Sequence, residues 1–485
     1  MKKLGDLLKN VEIIEADDLM SANITDIAAD SRRVLPGGMF IAVRGGTKDG
    51  NSYIDEAIKR HAAVIVSDRE YRENLGIPYI RVKDAREAYA FIASNYFDNP
   101  GDELRFIGVS GTNGKTTIAH MIHHILSYNG IKTGLSGTIG NIVNNKREDT
   151  DMTTPDPYEF FGLLRRMRDC GTDVAVSEVS AHAIYLKKIN PVIADVAVFS
   201  NCSRDHLDFF HTMEKYEEVK KSYFTKKHAR SVVINADDRV GVDIINGSDA
   251  KVISYGIENP SDVFAVNIKL SVKGSVFYAN IFDDVEKVDL PIPGLFNVYN
   301  GLAAMTAARL LNVSLRDAAE SLKTIEEIPG RFNIIHAGKC SFVIDYAHSP
   351  DGLKKILTAA RSISKGKVIC VFGCGGNRDR EKRPLMGRIS AEYSDFTIIT
   401  SDNPRFEDAE DIIVGIESGV RGITKNYLNI IDREEAIKKA YELAENDDLV
   451  VVAGKGAEPY IDVKGMKYKY NDRDVIYDII NQKTN

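Results

Sequence analysis

Along this chain of 485 residues, apolar runs of strand length alternate with stretches whose apolar residues recur every three or four positions. Such alternation is what parallel sheets with crossover helices require, so the expected class is α/β. It falls into three blocks. Residues 1–100 carry the β-rich runs MFIAV and AAVIVSD around a helical EAIKR segment, with turns at Pro36-Gly37-Gly38 and Gly45-Gly46, and read as a small α/β domain. Asn99-Pro100-Gly101-Asp102 reads as the linker that follows.

In residues 101–330, strands are expected at Phe106–Val109, Asp173–Val179, Ala194–Phe199 and Ser231–Asn235. An antiparallel hairpin or edge sheet within Val252–Leu290 and helices at Asn297–Leu311 and Ser314–Ile325 complete that block. The polar stretch NNKREDTDMTTPDP is expected to be a loop, because Pro155 and Pro157 disfavour helix. From residue 331 to 485 the alternation restarts, with CSFVIDY, KVICVFG, DFTIIT and DLVVVAG as strands. The expectation is three domains, the central one a parallel-sheet phosphate-loop unit and the last a Rossmann-like, doubly wound unit.

Composition narrows the function classes. The formal net charge is -7 with no block of like charges, which argues against nucleic acid and for small-molecule or protein partners. No apolar run approaches membrane-spanning length, and MKKLGDLLKNVEII is amphipathic rather than a signal peptide, so a cytoplasmic protein is expected. The odd set of cysteines, Cys170, Cys202, Cys340, Cys370 and Cys374, suits reduced thiols; Cys370 and Cys374 lack C-x-x-C spacing and read as buried structural residues.

The chemistry centres on LRFIGVSGTNGKTT, residues 104–117, where a strand runs into a glycine loop and then a helix ending at Gly130. Gly111, Thr112, Asn113 and Gly114 let the backbone amides wrap an anion, Lys115 adds a point charge, and Thr116, followed by Thr117, is placed to hold Mg²⁺. Val109 stands where the longer form of this motif has glycine. Glu178 ends the next strand in SEVSAH, and NCSRDHLD brings His206 to the end of the one after; both are readable as metal ligands beside bound phosphates or as surface and capping residues. Thr212 is a plausible cap for the helix that follows, and spacing alone leaves Lys220 and Lys221 as solvated helix lysines. Asp30-Ser31-Arg32 is equally a ligand site, a cap or a turn.

The blocks GTNGKTT, SEVSAH, SNCSRDHLDFFHTMEKYEEVK, INADD, PGLFNVYNGLAA, IPGRFN, VIDYAHSPDGL, VFGCGGNRDREKRPLMG, TSDNPRFEDAEDI and AGKGAEPY occur in one order over nearly the whole chain, which resembles the Mur ligases. The likeness is to the members that add the third residue of the peptidoglycan stem peptide. It implies domains binding, in order, a UDP-sugar, ATP and an amino acid, and an ADP-forming ligation of a diamino acid to UDP-MurNAc-L-Ala-D-Glu through an acyl phosphate. By resemblance ATP is held by Gly111–Thr117, Asn297, Arg331 and Asp345. Mg²⁺ is held by Thr116, Glu178, His206 and Lys220, the last carrying a CO₂-derived carbamate (N6-carboxylysine), which replaces the solvated reading of Lys220.

The UDP-sugar peptide falls by the same resemblance to Ser31, Thr153, Thr154, Ser180 and Lys188, the last standing where many members have arginine. The amino acid falls to Arg378, Asp402, Asn403, Pro404, Arg405, Gly454 and Glu458. Arginine after Asn-Pro resembles the meso-diaminopimelate enzymes, whose guanidinium pairs with the distal carboxylate that lysine lacks, whereas Ala457 replaces their usual histidine. The same ligation with L-lysine, another amide ligase such as folylpolyglutamate synthetase, and a non-catalytic phosphate-loop protein are the competing expectations.

Overall fold

The computed structural model describes residues 1–16, 21–45, 48–70 and 75–481, so Gly46 of the expected Gly45-Gly46 turn lies outside the described residues. Its frame consists of three larger sheets of five, eleven and six strands taken in chain order. The five-stranded sheet runs Ile13–Ala16, Tyr79–Val82, Val64–Ser67, Met39–Ala42 and Ile27–Ala28, mostly parallel, with the helix Ala85–Tyr96 against it. Met39–Ala42 and Val64–Ser67 are buried at every position, as uninterrupted apolar runs covered on both faces should be.

The eleven-stranded sheet places Arg105–Ser110 between Val174–Glu178 and Ala194–Phe199, all parallel. Register pairs Glu178 with Val109 and Phe199 with Ser110, so the carboxyl ends of the three strands emerge together. The helix Lys115–Tyr128 starts at the phosphate loop and buries Ile118, Met121, Ile122 and Ile125, spaced to fill one face. The second long helix, Leu295–Leu310, lies against it and is buried almost throughout, as its run of alanines permits.

Some expectations are corrected. Pro100–Glu103 is a short helix with proline at its first turn, not a linker, and a Cβ on Gly101 would lie 3.1 Å from Val192. The polar stretch before Pro155 contains the strand Lys146–Glu148, paired antiparallel with Gly140–Val143. Lys251–Gly256 is a parallel strand, and the antiparallel ribbon begins only at Val263.

In the six-stranded sheet the order is Asn333–Ala337, Cys340–Asp345, Asp448–Ala453, Val368–Phe372, Phe396–Ile399 and Tyr427–Asn429. The two outer strands, the hairpin Tyr460–Val463 with Met466–Lys469, and the helix Asp472–Asn481 were not apparent from the pattern, because they are short or half-polar. Cys340, Cys370 and Cys374 are buried, whereas Cys170 is exposed.

Helices Lys382–Tyr393 and Ala409–Val420 touch backbone to backbone. A Cβ on Gly387 would lie 2.1 Å from the Ile416 carbonyl oxygen, and one on Gly419 would lie 1.9 Å from that of Pro384. Gly419→Ala should therefore destabilise the protein by about 1–2 kcal/mol, overpacking outweighing the gain in helix propensity, and lower the urea midpoint; an unchanged midpoint would mean the helices separate freely.

Candidate active site

The phosphate loop is held in shape by the segment after Phe199. Thr112 N donates to Asn201 O at 2.8 Å, Asn113 N to Asn201 Oδ1 at 3.0 Å, and Ser200 Oγ to Asn113 O at 2.6 Å. Gly111 (φ +143°) and Gly114 (φ +87°) have conformations that a side chain would strain, and a Cβ on Gly114 would meet Asn300 Oδ1 at 2.7 Å. Lys115 Nζ donates to Gly111 O at 3.0 Å and Thr112 O at 2.7 Å. Desolvation lowers its pKa, with Glu178 and Asp205 pulling the other way. Thr116 and Thr117 are buried in the first helical turn.

Glu178 is completely buried. Oε2 accepts from Thr116 Oγ1 at 3.0 Å and Thr138 Oγ1 at 3.0 Å, while Oε1 accepts from Thr138 N at 2.7 Å. Among the described residues no cation lies within ion-pair distance of it. A buried carboxylate bonded only to neutral donors is costly unless a cation joins it, and hydroxyl and carboxylate oxygens are the donors Mg²⁺ prefers. No ready-made group of three or more His, Cys, Asp or Glu side chains suited to a metal occurs among the described residues.

Lys220 is not solvated. It lies on the helix Met213–Lys221, capped by Thr212, with 1% of its surface exposed and Nζ 4.8 Å from the Tyr216 ring centre. Desolvation, then the charge of Lys115, pushes its pKa down to about 7. His206 adopts a left-handed backbone (φ 55°) and packs edge-on against His182 at 4.8 Å. Desolvation lowers its pKa to about 3, opposed by Asp205, whose Oδ2 lies 3.5 Å from Nε2. Burial would raise Asp205, yet hydrogen bonding from His348 and the charge of His206 hold its carboxyl well below the usual range. Asp205 and His348 were legible as polar residues at strand ends but not as a pair spanning two sheets.

Of the expected nucleotide residues on later elements, Arg331 reaches the loop: Nη2 donates to Thr116 Oγ1 at 3.0 Å and the guanidinium lies over Tyr346 at 4.6 Å. Asp345 accepts from Phe332 N at 2.9 Å and Ala347 N at 2.7 Å, and burial raises its pKa against the pull of Arg331. Asn297 is engaged internally, with Nδ2 on Pro293 O at 2.7 Å and Oδ1 accepting from Asn300 at 3.0 Å.

On the other side of Glu178, Thr154 Oγ1 donates to Glu178 O at 2.8 Å and Ser180 N donates to Thr154 Oγ1 at 3.1 Å. Thr153 shares a hydroxyl contact with Thr138 at 3.0 Å, and Lys188 Nζ is 2.7 Å from Asp156 and 3.4 Å from Thr154 O. Ser31 stands apart in the first unit, its hydroxyl on Glu56 Oε2 at 2.9 Å, beneath the Asp30 cap. A second cleft begins beside it, lined by Asp30, Arg33, Tyr89, Asp156 and Tyr158.

A cleft of about 120 Å³ lies between the central and last sheets, with Asp205, His206 and Asp208 facing Arg378, Asp402, Asn403, Arg405, Gly454 and Glu458. Asn403 Nδ2 donates to Glu458 Oε2 at 2.8 Å. Lys455, not singled out in the sequence, is wholly buried and donates to Asn403 Oδ1 at 3.1 Å and Glu458 Oε2 at 3.0 Å. Arg405 Nη1 donates to Gly376 O at 2.8 Å. Pro404 packs its carbonyl under Gly376, where a Cβ would come within 1.9 Å. Ala457 is not among the cleft-lining residues; its backbone instead abuts Gly330.

A phosphate loop at the edge of one parallel sheet, facing polar strand ends of a second, defines a multidomain α/β nucleotide-binding protein. The chain matches the Mur ligase family catalytic domain over residues 23–97, the Mur ligase middle domain over 109–308 and the glutamate ligase domain of Mur ligases over 330–456. It is 41% identical over 479 residues, 99% of each chain, to the UDP-N-acetylmuramoyl-L-alanyl-D-glutamate--2,6-diaminopimelate ligase of Caldanaerobacter subterraneus subsp. tengcongensis. To the protein of that name from Clostridium tetani it is 41% identical over 487 residues, again 99% of each chain. A solved structure of a ligase of the same name superposes with a TM-score of 0.71 at 30% identity, covering 100% of this chain and 99% of the other. The chain belongs to the Mur ligase family. No helix among the described residues is long and apolar enough to cross a membrane.

Contacts across the cleft hold the two units together: Asn113 Nδ2 to Asp351 Oδ2 at 2.9 Å, and Arg204 to Asp379 at 3.2 Å and Glu381 at 2.7 Å. An ion pair as open to solvent as Arg204–Glu381 is worth about 0–1 kcal/mol. Arg204→Ala should leave the melting temperature nearly unchanged but raise the radius of gyration measured by X-ray scattering; superposable scattering curves would assign closure to the other contacts.

Proposed function

We propose that this chain joins meso-diaminopimelate to the γ-carboxylate of D-glutamate in UDP-MurNAc-L-Ala-D-Glu, consuming ATP, in peptidoglycan synthesis. The observation that carries the reading is the cleft in which Asp402, Asn403, Arg405 and Glu458 face the residues that flank the phosphate loop. The full-length relatives of that name support it. We assign residues 1–100 to the UDP-sugar, 101–330 to ATP and 331–485 to the amino acid. ATP and a nucleotide-linked precursor place the reaction in the cytoplasm.

In this reading the amides of Gly111–Thr117 and Lys115 hold the ATP phosphates, Arg331 and Asp345 border the nucleoside, and Asn297 shapes the adenine side through its neighbours. Thr154, Ser180 and Lys188 bring the D-glutamate carboxylate toward Glu178, and Ser31 and Thr153 bind the rest of the UDP-sugar peptide. Carboxylate oxygen attacks the γ-phosphorus and ADP leaves, giving an acyl phosphate. The amino acid's amine then attacks the acyl carbon, phosphate leaves, and the amine gives up its proton. Phosphoryl transfer between two anions depends on positioning and charge neutralisation, and the cleft walls keep water from the acyl phosphate.

Thr116, Glu178, His206 and Lys220 would hold Mg²⁺, which supplies charge stabilisation on the transferring phosphoryl group. Lys220 suits carbamylation because its pKa near 7 leaves free amine to add to CO₂, releasing a proton and converting a cation into an anionic oxygen donor. Arg405 would pair with the distal carboxylate of diaminopimelate, with Asp402, Asn403, Pro404, Gly454, Glu458 and Arg378 forming the rest of the pocket.

Phosphate release with UDP-MurNAc-L-Ala-D-Glu, ATP and Mg²⁺ tests the reading when meso-diaminopimelate, L-lysine and L-ornithine are added separately. Activity with diaminopimelate alone is expected, and Arg405→Ala should raise its KM by about 10²-fold while leaving that for ATP unchanged. Activity with lysine instead would discard the role of Arg405; inactivity with all three would discard the ligase.

The carbamate gives an independent expectation. In CO₂-depleted buffer activity should fall and return on adding bicarbonate. The requirement should grow as pH falls through about 7, where protonation removes the free amine of Lys220. Indifference to bicarbonate, with no carbamate resonance from ¹³C-bicarbonate, would remove it.

A further inference from the structure

Behind the amino-acid end of the cleft lies a guanidinium that the chemistry above does not use. Arg433 opens the helix Arg433–Leu443, and its side chain and that of Asp472 are both 0% exposed. Nε donates to Asp472 Oδ1 at 2.7 Å and Nη2 to Oδ2 at 2.9 Å, a bidentate pair, and the Tyr470 hydroxyl donates to Asp472 Oδ1 at 3.0 Å. Two more donors go to main chain, Nη2 to Ala453 O at 3.0 Å and Nη1 to Ser401 O at 3.4 Å.

Those two carbonyls stand immediately before the cleft segments. Ser401 precedes Asp402-Asn403-Pro404-Arg405, and Ala453 precedes Gly454. Their strands are not neighbours, since Val368–Phe372 lies between Phe396–Ile399 and Asp448–Ala453, so no ladder hydrogen bond fixes the distance between their ends. Asn403 joins the two segments at the cleft through Lys455 and Glu458, and Arg433 bridges them at their base, where the strands end. Asp472 also begins the terminal helix, so the segment from Gly454 to Asn471, which carries Lys455 and Glu458, is fastened at both ends to one guanidinium.

A buried ion pair contributes little net stability, because desolvation offsets its attraction, but it fixes geometry. We propose that Arg433 and Asp472 are positioning residues for the amino-acid pocket. Together with the Asn403–Lys455–Glu458 bonds they set the spacing between residues 402–405 and 454–458 and thereby the fit of the incoming diamino acid, an inference that rests on the ligase reading above.

The test is KM for each of the three substrates in wild type, Arg433→Lys and Asp472→Asn, with melting curves alongside. Lysine keeps the charge and loses the fork, asparagine keeps the shape and loses the counter-charge, and should neither variant fold, Tyr470→Phe, which removes only the hydroxyl bond to Asp472 Oδ1, is measured in their place. KM for diaminopimelate should rise about tenfold or more, with ATP and the UDP-substrate within about twofold, and discrimination against L-lysine should narrow. Equal changes in all three KM values, or a lower Tm with KM untouched, would make the pair merely structural and overturn the proposal. Wild-type inactivity with every diamino acid would instead remove the ligase reading and this inference with it.

Discussion

The parallel register of three strands governs everything built at the centre of this molecule. Because Glu178 pairs with Val109 and Phe199 with Ser110, the glycine loop, the buried carboxylate and the Ser200–His206 segment leave the sheet at one level. A slip of one residue would turn Glu178 to the opposite face and bury a different side chain. The loop depends on that same alignment, since Ser200 and Asn201 supply the hydrogen bonds that shape it.

That arrangement concentrates charge where water is scarce. Desolvation lowers the pKa of both Lys115 and Lys220, and the charge of Lys115 pushes that of Lys220 down further. Glu178 is buried among neutral donors, and Asp205 is the anion that two histidines share. Such a site is poorly balanced by itself and suited to anionic phosphates and divalent cations, consistent with membership in a family of ligases. The Asn403–Lys455–Glu458 cluster differs, since its buried cation is bonded to two protein oxygens, one of them a carboxylate. It holds the shape of its pocket.

Most of the frame was legible because parallel strands buried on both faces are continuous apolar runs. Phe106–Val109, Ala194–Phe199 and the strands ending at Asp345, Phe372 and Ala453 all stand out in this way. The elements that escaped, such as Lys146–Glu148 and Met466–Lys469, are short strands, the first charged at every position and the second at alternate ones, whose sequence is that of a loop. Pro100–Glu103 misled for a different reason: Pro-Gly marks a turn in general, but proline also fits the first turn of a helix.

By itself the sequence determined the alternating α/β class, the phosphate loop and its helix, and the order of motifs that places the chain among the Mur ligases, since each is carried by neighbours in the chain. Tertiary structure decided what no local pattern carries: that Lys220 is buried, that Asp205 meets His348 across a cleft, and that Arg433 spans two strands that do not touch. A lysine in a helix of alternating charge looks solvated until its surroundings are known. Burial and charge pairing belong to residues far apart in sequence, and only the packed chain brings them within range of one another.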